Sequence, residues 1–566
     1  MWGGEGNVRH QGIQNSRSTP ISCLWSKFPG NVPPSFYLFP MKPTRLLYLL
    51  ALIKLVLPFF LQNPVWGPHR DEFLYLAEAR HMAWGYMEAP PLLSVFAWLT
   101  NLLGGAMWAI KIWPSLAGAM TYVLVGRLVL HLGGRWFALV LAWMPFVTGT
   151  WLRMHFLFQP NFLDIFFWTA IAYGLTRFQQ TGKPMHLYVA GVSFGLGMLA
   201  KYTMAFYATG LLAGLLLVRD KKVLASRHFY YAIGVGFLLF LPNLLWEARH
   251  GFPVVYHMKT LEDSQLQYLS PWTFLTDQLL DNVATLFTWV AGLVWVARTK
   301  QYRFIAWAFF VTLALLMMGH GKSYYSQGAY PVLFAFGAAR LEALANKWWK
   351  MGMVAFSLFI GIRLVPLLLP FKAPAPLAEY YVHHPLAREA GALRWEDLQD
   401  HSLPQDFADM LSWEEMTHKV ARAYASLDSM EKAHTLLFCD NYGEAGAVNY
   451  YGPKYHLPPA YSDNASFLYW MPRDYDRFDV LLLVTDDRQE MQHRFIKEFK
   501  SVRLVDSIAN PYAREDGSLI ILMKGPSDAF RQAFKEKIDL DKLKTTAHGA
   551  VQDLKPNPLD KGGSMH

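Results

Sequence analysis

Residues 41–75 read MKPTRLLYLLALIKLVLPFFLQNPVWGPHRDEFLY. A short basic head precedes an apolar run over 45–62 that only Lys54 interrupts, and the run ends at Asn63-Pro64. About 20 apolar residues in a helix cross the roughly 30 Å hydrocarbon core of a bilayer. The stretch therefore predicts a membrane-spanning helix that delivers His69-Arg70-Asp71-Glu72 to the opposite surface.

The same pattern recurs outward from this segment. Further apolar blocks lie at 107–131, 136–151, 161–177, 186–200, 203–218, 229–246, 276–297, 304–319, 326–342 and 351–370. The total is about eleven candidate spans, while 92–104 is too short to cross and predicts a helix lying at the interface. Of the 566 residues 53% are hydrophobic and only 17% charged, too few charges to solvate the surface of a soluble protein of this length. The net charge of +9 does not point to nucleic acid, because most basic residues before 370 flank apolar blocks. With Lys42 and Arg45 placed inside, every second loop is basic, as the positive-inside rule requires. The opposite loops hold the unusual polar residues, and an odd number of spans leaves the remainder of the chain on that same outer side.

Composition divides the chain further. Residues 1–40, rich in Gly, Ser, Pro and Asn, read as an extension preceding a natural start at Met41. A helical membrane domain follows over 41–372, then a water-soluble α/β domain over 375–545 and a disordered tail over 546–566. Strands are predicted at Thr435–Cys439, Val480–Thr485, Val502–Ser507 and Leu519–Met523, with helical patterns at 412–433 and 488–499. The fold class is thus mainly α, a polytopic helical domain carrying a small α/β domain. Cys23 and Cys439 have no metal-ligand spacing, and no disulfide is expected between them.

Several polar groups on the outer side could carry chemistry. Asp71-Glu72 directly follows a span, where a carboxylate can take a proton from an incoming nucleophile or help hold a divalent cation; the plain alternative is a solvated acidic pair. Lys201 and Lys322 stand at outer helix ends, and a lysine near hydrocarbon is costly unless it is paired or snorkels. Tyr324 and Tyr325 follow Lys322. Glu88, Asp164, Arg249 and His250 are looser supporting candidates. Gly321-Lys322-Ser323 lacks the upstream glycine and strand of a P-loop, and Gly191 and Gly195 form a GxxxG that predicts close helix packing.

Taken in order, these pieces resemble a known family. Asp71-Glu72 with Gly85-Tyr86 and Pro90-Pro91-Leu92, Phe158-Gln159-Pro160 with Asp164 and Trp168, and Leu199-Ala200-Lys201-Tyr202-Thr203 are similar to bacterial glycosyltransferase family 39-like proteins. So are Pro242-Asn243 with Trp246 and His250-Gly251-Phe252, and Gly321-Lys322-Ser323-Tyr324-Tyr325 with Tyr330-Pro331. The group includes dolichyl-phosphate-mannose protein mannosyltransferase and lipid A aminoarabinose transferase relatives. Asn441-Tyr442-Gly443-Glu444-Ala445-Gly446-Ala447 resembles the soluble domain of one bacterial branch; read alone, it is a strand-to-helix turn or a ligand loop.

The resemblance implies a GT-C-type fold in the inner (plasma) membrane, an extracytoplasmic active site and a polyprenyl-phosphate sugar as donor. The acceptor would be a lipid, glycan or protein, and transfer would invert the anomeric centre. Asp71 is implied as the leading catalytic residue, with Glu72 beside it as a second catalytic or metal-binding carboxylate. Lys201, Lys322, Tyr324 and Tyr325 would then meet the donor phosphate. Many relatives carry an acidic residue where this chain has Asn161, which weakens the case for a second catalytic acid there. A carrier of lipid-linked saccharides is the alternative, but it needs a polar path to the inner side.

Overall fold

The computed structural model describes residues 41–546 except 265, 269 and 390, so the extension expected at 1–40, Cys23 and the tail beyond Thr546 lie outside the described residues. All eleven apolar blocks are helical. Among the described residues, four helices are long and apolar enough to cross a membrane unaided: Pro43–Leu61, Met107–His131, Arg227–Arg249 and Lys347–Leu368. Asn161–Thr181, Met185–Ala200, Met204–Leu217, Arg303–Met318 and Tyr330–Leu344 complete most of the bundle.

Two blocks break where their sequence demands it. The block at 136–151 becomes Trp136–Trp143, Pro145–Thr148 and Trp151–Met154, because Pro145 supplies no N–H and Gly149 turns extended. Pro271–Leu280 and Val283–Arg298 meet at a 52° bend over Asp281 and Asn282. The side chains of those two residues accept hydrogen bonds from Thr150, Trp151 and Gln327, an arrangement that a straight span would not offer. The GxxxG expectation holds: Arg227–Arg249 rests on Gly191 and Gly195, where any Cβ would strike the backbone at Ala232 and Gly236.

Among the described residues the α/β region contains five strands, β1 (Thr435–Cys439), β2 (Ala460–Tyr461), β3 (Val480–Thr485), β4 (Phe499–Ser507) and β5 (Leu519–Pro526). Their order is β2-β1-β3-β5-β4, with β2, β1 and β3 parallel and β5 antiparallel to both β3 and β4. β3 is buried along its whole length, consistent with its unbroken apolar sequence. The helical pattern at 412–433 is realised as Trp413–Ala425 and Ser429–Ala433. The pattern at 488–499 is not: it forms two short 3-10 turns, Glu490–Gln492 and Arg494–Glu498.

From Pro43 onward the chain is one compact unit, not two separable bodies. The reason is the first loop. Its helix Arg70–Glu78 inserts Phe73, Leu74 and Ala77 into the apolar core of the sheet, beside Trp413, Leu437 and Val448. Met87 enters the core on the other face, with Phe530, Phe534 and Ile538 of helix Asp528–Lys544, a helix that the sequence did not single out. The segment Leu92–Leu102 is the short helix expected at the interface.

Candidate active site

Helix Arg70–Glu78 opens with a capping box. The His69 ring Nδ1 accepts the Asp71 N–H at 3.1 Å, and Glu72 Oε2 accepts the His69 N–H at 2.9 Å. Glu72 is fully buried, and its Oε1 takes Lys111 Nζ at 2.5 Å and the Phe158 N–H at 2.7 Å. Both of its oxygens are thus committed, and a buried ion pair needs such extra donors to offset its desolvation. This differs from the place expected for Glu72: it faces into the protein instead of standing beside Asp71 in the cavity. The two carboxylates are therefore not arranged to share a divalent cation.

Asp71, one residue earlier, turns the other way and lines a cavity of about 420 Å³. A chain of contacts crosses this cavity. Tyr442 Oη donates to Asp71 Oδ1 at 2.7 Å and Gln159 Nε2 donates to Oδ2 at 3.0 Å. Gln159 Oε1 accepts from Asn161 Nδ2 at 3.2 Å, and Asn161 Oδ1 accepts from Lys201 Nζ at 2.6 Å. Lys201 stands in the break between Met185–Ala200 and Met204–Leu217, with its backbone extended. Its ammonium lies 3.9 Å from the Tyr325 ring centroid and 5.6 Å from that of Tyr324, and both tyrosines line the cavity.

Asp71 lies below the ordinary aspartate range: burial alone would raise it, but His69, the Tyr442 hydrogen bond, Arg70 and Arg514 outweigh that cost. It is accordingly a carboxylate at neutral pH. Tyr324 is pushed up to about 12 by burial, so its hydroxyl remains a donor.

The other expected residues fall in different places. Glu88 lines the cavity and accepts from Ser466 Oγ at 2.6 Å. Burial raises it to about 7. Burial and its neighbour Glu88 hold Glu78, which accepts from Ser94 Oγ at 2.5 Å, well above the usual carboxylate range. Asp164 is buried behind the wall, bonded by Thr203 Oγ1 at 2.7 Å. Lys322 is not among the lining residues, and its Nζ lies 4.0 Å from Glu396. Arg249 and His250 are exposed outside the cavity, with the His250 ring stacked on Trp246 at 4.1 Å. Among the described residues, His69, Asp406 and Asp409 also bring three possible metal-ligand atoms within 4.8 Å, but Arg153 pairs with Asp406 and Arg514 approaches Asp409 to 3.5 Å.

Sequence reasoning missed Tyr442 and Ser466 as site residues. Nothing in the local sequence joins Tyr442 to a carboxylate 371 positions away. Gln159 and Asn161 were visible as polar residues beside a span, but not as the bridge between Asp71 and Lys201.

The sequence and the fold are similar to those of known proteins. A family model described as dolichyl-phosphate-mannose-protein mannosyltransferase matches residues 88–246. The lipid A galacturonosyltransferase RgtD of Rhizobium johnstonii is 26% identical over 199 residues, which are 34% of this chain. The match spans 41% of that relative's length. ArnT from Cupriavidus metallidurans bound to undecaprenyl phosphate superposes with a TM-score of 0.54 at 12% identity, covering 85% of this chain and 97% of that one. Its apo state gives a TM-score of 0.55 at 13% identity, with the same coverage. The chain is thus a multi-pass membrane protein with the fold of ArnT, and over residues 88–246 it matches the family model of dolichyl-phosphate-mannose-protein mannosyltransferase.

Proposed function

We propose that this chain is a membrane glycosyltransferase that moves a sugar from a polyprenyl-phosphate donor to a lipid acceptor, at the extracytoplasmic face of the inner membrane. The observation that carries the reading is the convergence of Asp71, Lys201, Tyr324 and Tyr325, from three distant segments, on one cavity. The relative that acts on lipid A and the neighbour bound to undecaprenyl phosphate support the choice of acceptor and donor. The basic loops on the opposite side support the orientation.

The reading implies the following chemistry. An acceptor hydroxyl attacks C1 of the sugar, and the C1–O bond to phosphate breaks with inversion. The polyprenyl phosphate departs with the bonding electrons. Asp71, ionised at neutral pH, takes the acceptor proton on a lone pair not used by Tyr442 or Gln159. Lys201 exchanges the Asn161 carbonyl for the leaving phosphate, and the tyrosine hydroxyls add hydrogen bonds. Because Glu72 is fully engaged by N–H donors, no step is routed through a cation held by Asp71 and Glu72.

The test is a transfer assay with purified protein and a panel of polyprenyl-phosphate sugars. Asp71→Asn should lower kcat by roughly 10²–10⁴-fold, the usual contribution of a positioned base. Lys201→Ala should lose about 2–4 kcal/mol of transition-state stabilisation. Wild-type rates in both variants would remove the assignment. A carrier, by contrast, would move lipid-linked sugar across vesicles without covalent transfer.

A further inference from the structure

The catalytic cavity is not built by the membrane helices alone. Tyr442 and Ala465 belong to the α/β region, and both line it. Tyr442 follows the carboxyl end of β1, the strand flanked in parallel by β2 on one side and β3 on the other. In open α/β sheets this point, where successive connections leave in opposite directions, is where the fold presents functional groups. Here it presents them to the membrane part.

Local chemistry fixes the approach. Asn441 caps helix Tyr442–Tyr451, its side chain accepting the Glu444 N–H at 3.0 Å. The helix lies against Arg70–Glu78 through a face without side chains. A Cβ on Gly443 would sit 2.5 Å from Arg70 Cγ, and one on Gly446 2.7 Å from Phe73 Cβ. Close contact lets the Arg70 guanidinium stack 4.4 Å from the Tyr442 ring centroid, while the hydroxyl reaches Asp71 at 2.7 Å. Burial holds that hydroxyl protonated well past the ordinary tyrosine range, so it donates and Asp71 accepts.

We propose that Tyr442 is a positioning residue: the α/β region uses its hydroxyl to orient the Asp71 carboxylate and keep it ionised for proton abstraction. The proposal rests on the glycosyltransferase reading of the same cavity. The titratable and charged groups facing Asp71 are His69, Arg70 and Tyr75 from its own segment, Tyr442 and Arg514 from the α/β region, and Tyr324 and Tyr325 across the cavity, while the neutral Gln159 amide donates to its other oxygen. Of these, Tyr442 donates directly to the carboxylate. A hydrogen bond to the charged form favours that form, so its loss raises the pH at which Asp71 becomes a carboxylate.

Tyr442→Phe retains the ring over Arg70 and removes only the hydroxyl. With whichever polyprenyl-phosphate sugar the wild type uses, kcat should fall about tenfold, as for a lost hydrogen bond to a charged group, with the donor KM little changed. The acid limb of the kcat–pH profile should move to higher pH. A second measurement needs no turnover: carbodiimide labelling of Asp71 at graded pH, followed by peptide mass spectrometry, should show the labelled form persisting to higher pH in Tyr442→Phe. Labelling with wild-type pH dependence overturns the proposal, as does an unchanged rate and acid limb. A labelling shift in Tyr442→Phe, found where the wild type transfers no sugar, supports the Tyr442 assignment and overturns the glycosyltransferase reading instead.

Discussion

Asp71 and Glu72 are adjacent in sequence but stand in different surroundings, and the difference comes from helix geometry. Successive residues point about 100° apart, so when the capping box draws Glu72 inward Asp71 faces a different side, here the cavity. Replacing Glu72 by Gln leaves the Lys111 ammonium buried against a neutral partner, and breaking such a pair costs about 3–5 kcal/mol. Thermal unfolding of Glu72→Gln should show that loss, while activity per folded molecule stays near wild type. Abolished transfer at an unchanged midpoint would make Glu72 a reactive group after all. Glu88 supplies a second prediction. Its folded value of about 7 lies above the ordinary 4.5, so the folded state holds its proton more tightly. That contribution to stability is complete below about 4.5 and is lost as pH rises through about 7. Unfolding midpoints should therefore fall over this interval in the wild type, and Glu88→Gln should flatten the fall.

At the scale of elements, the apolar periods announced the helices because hydrocarbon leaves a backbone few alternatives. Two of the four expected strands, β1 and β3, match to the residue, while β4 begins three residues earlier and β5 ends three residues later than expected. The failures have local causes. Residues 488–499 have the spacing of a helix, but the Asp487 side chain ties back to the Gln489 N–H and to the His493 ring, closing turns instead. β2 is only two residues long, too short to carry an alternating signal. The pairing of Arg70–Glu78 with Tyr442–Tyr451 left only a faint trace, the glycines at 443 and 446, whose meaning depends on a partner far away in the chain. Gly446→Leu should force these helices apart, lowering the unfolding midpoint and transfer together, although residue 446 does not line the cavity. Normal stability and turnover in that variant would show that the close approach is not needed.

For the molecule as a whole, the sequence announces a helical bundle followed by a small α/β region, and it groups Asp71, Lys201, Lys322, Tyr324 and Tyr325, of which Lys322 does not line the cavity. It does not show that the α/β region supplies part of the wall of the cavity that holds Asp71. That information resides in tertiary contacts such as Tyr442 with Asp71, Ser466 with Glu88 and the His81 ring on Trp470 at 4.4 Å. The burial of Phe73, Leu74 and Ala77 within the sheet's core has a consequence for how such proteins diversify. The cap cannot be swapped as a module: a graft cut at the obvious linker would leave these three side chains without a matching socket and Asp71 without its Tyr442 partner. Exchange between lineages must carry the first loop along with the cap, so the two should change in step even though hundreds of residues separate them in the gene.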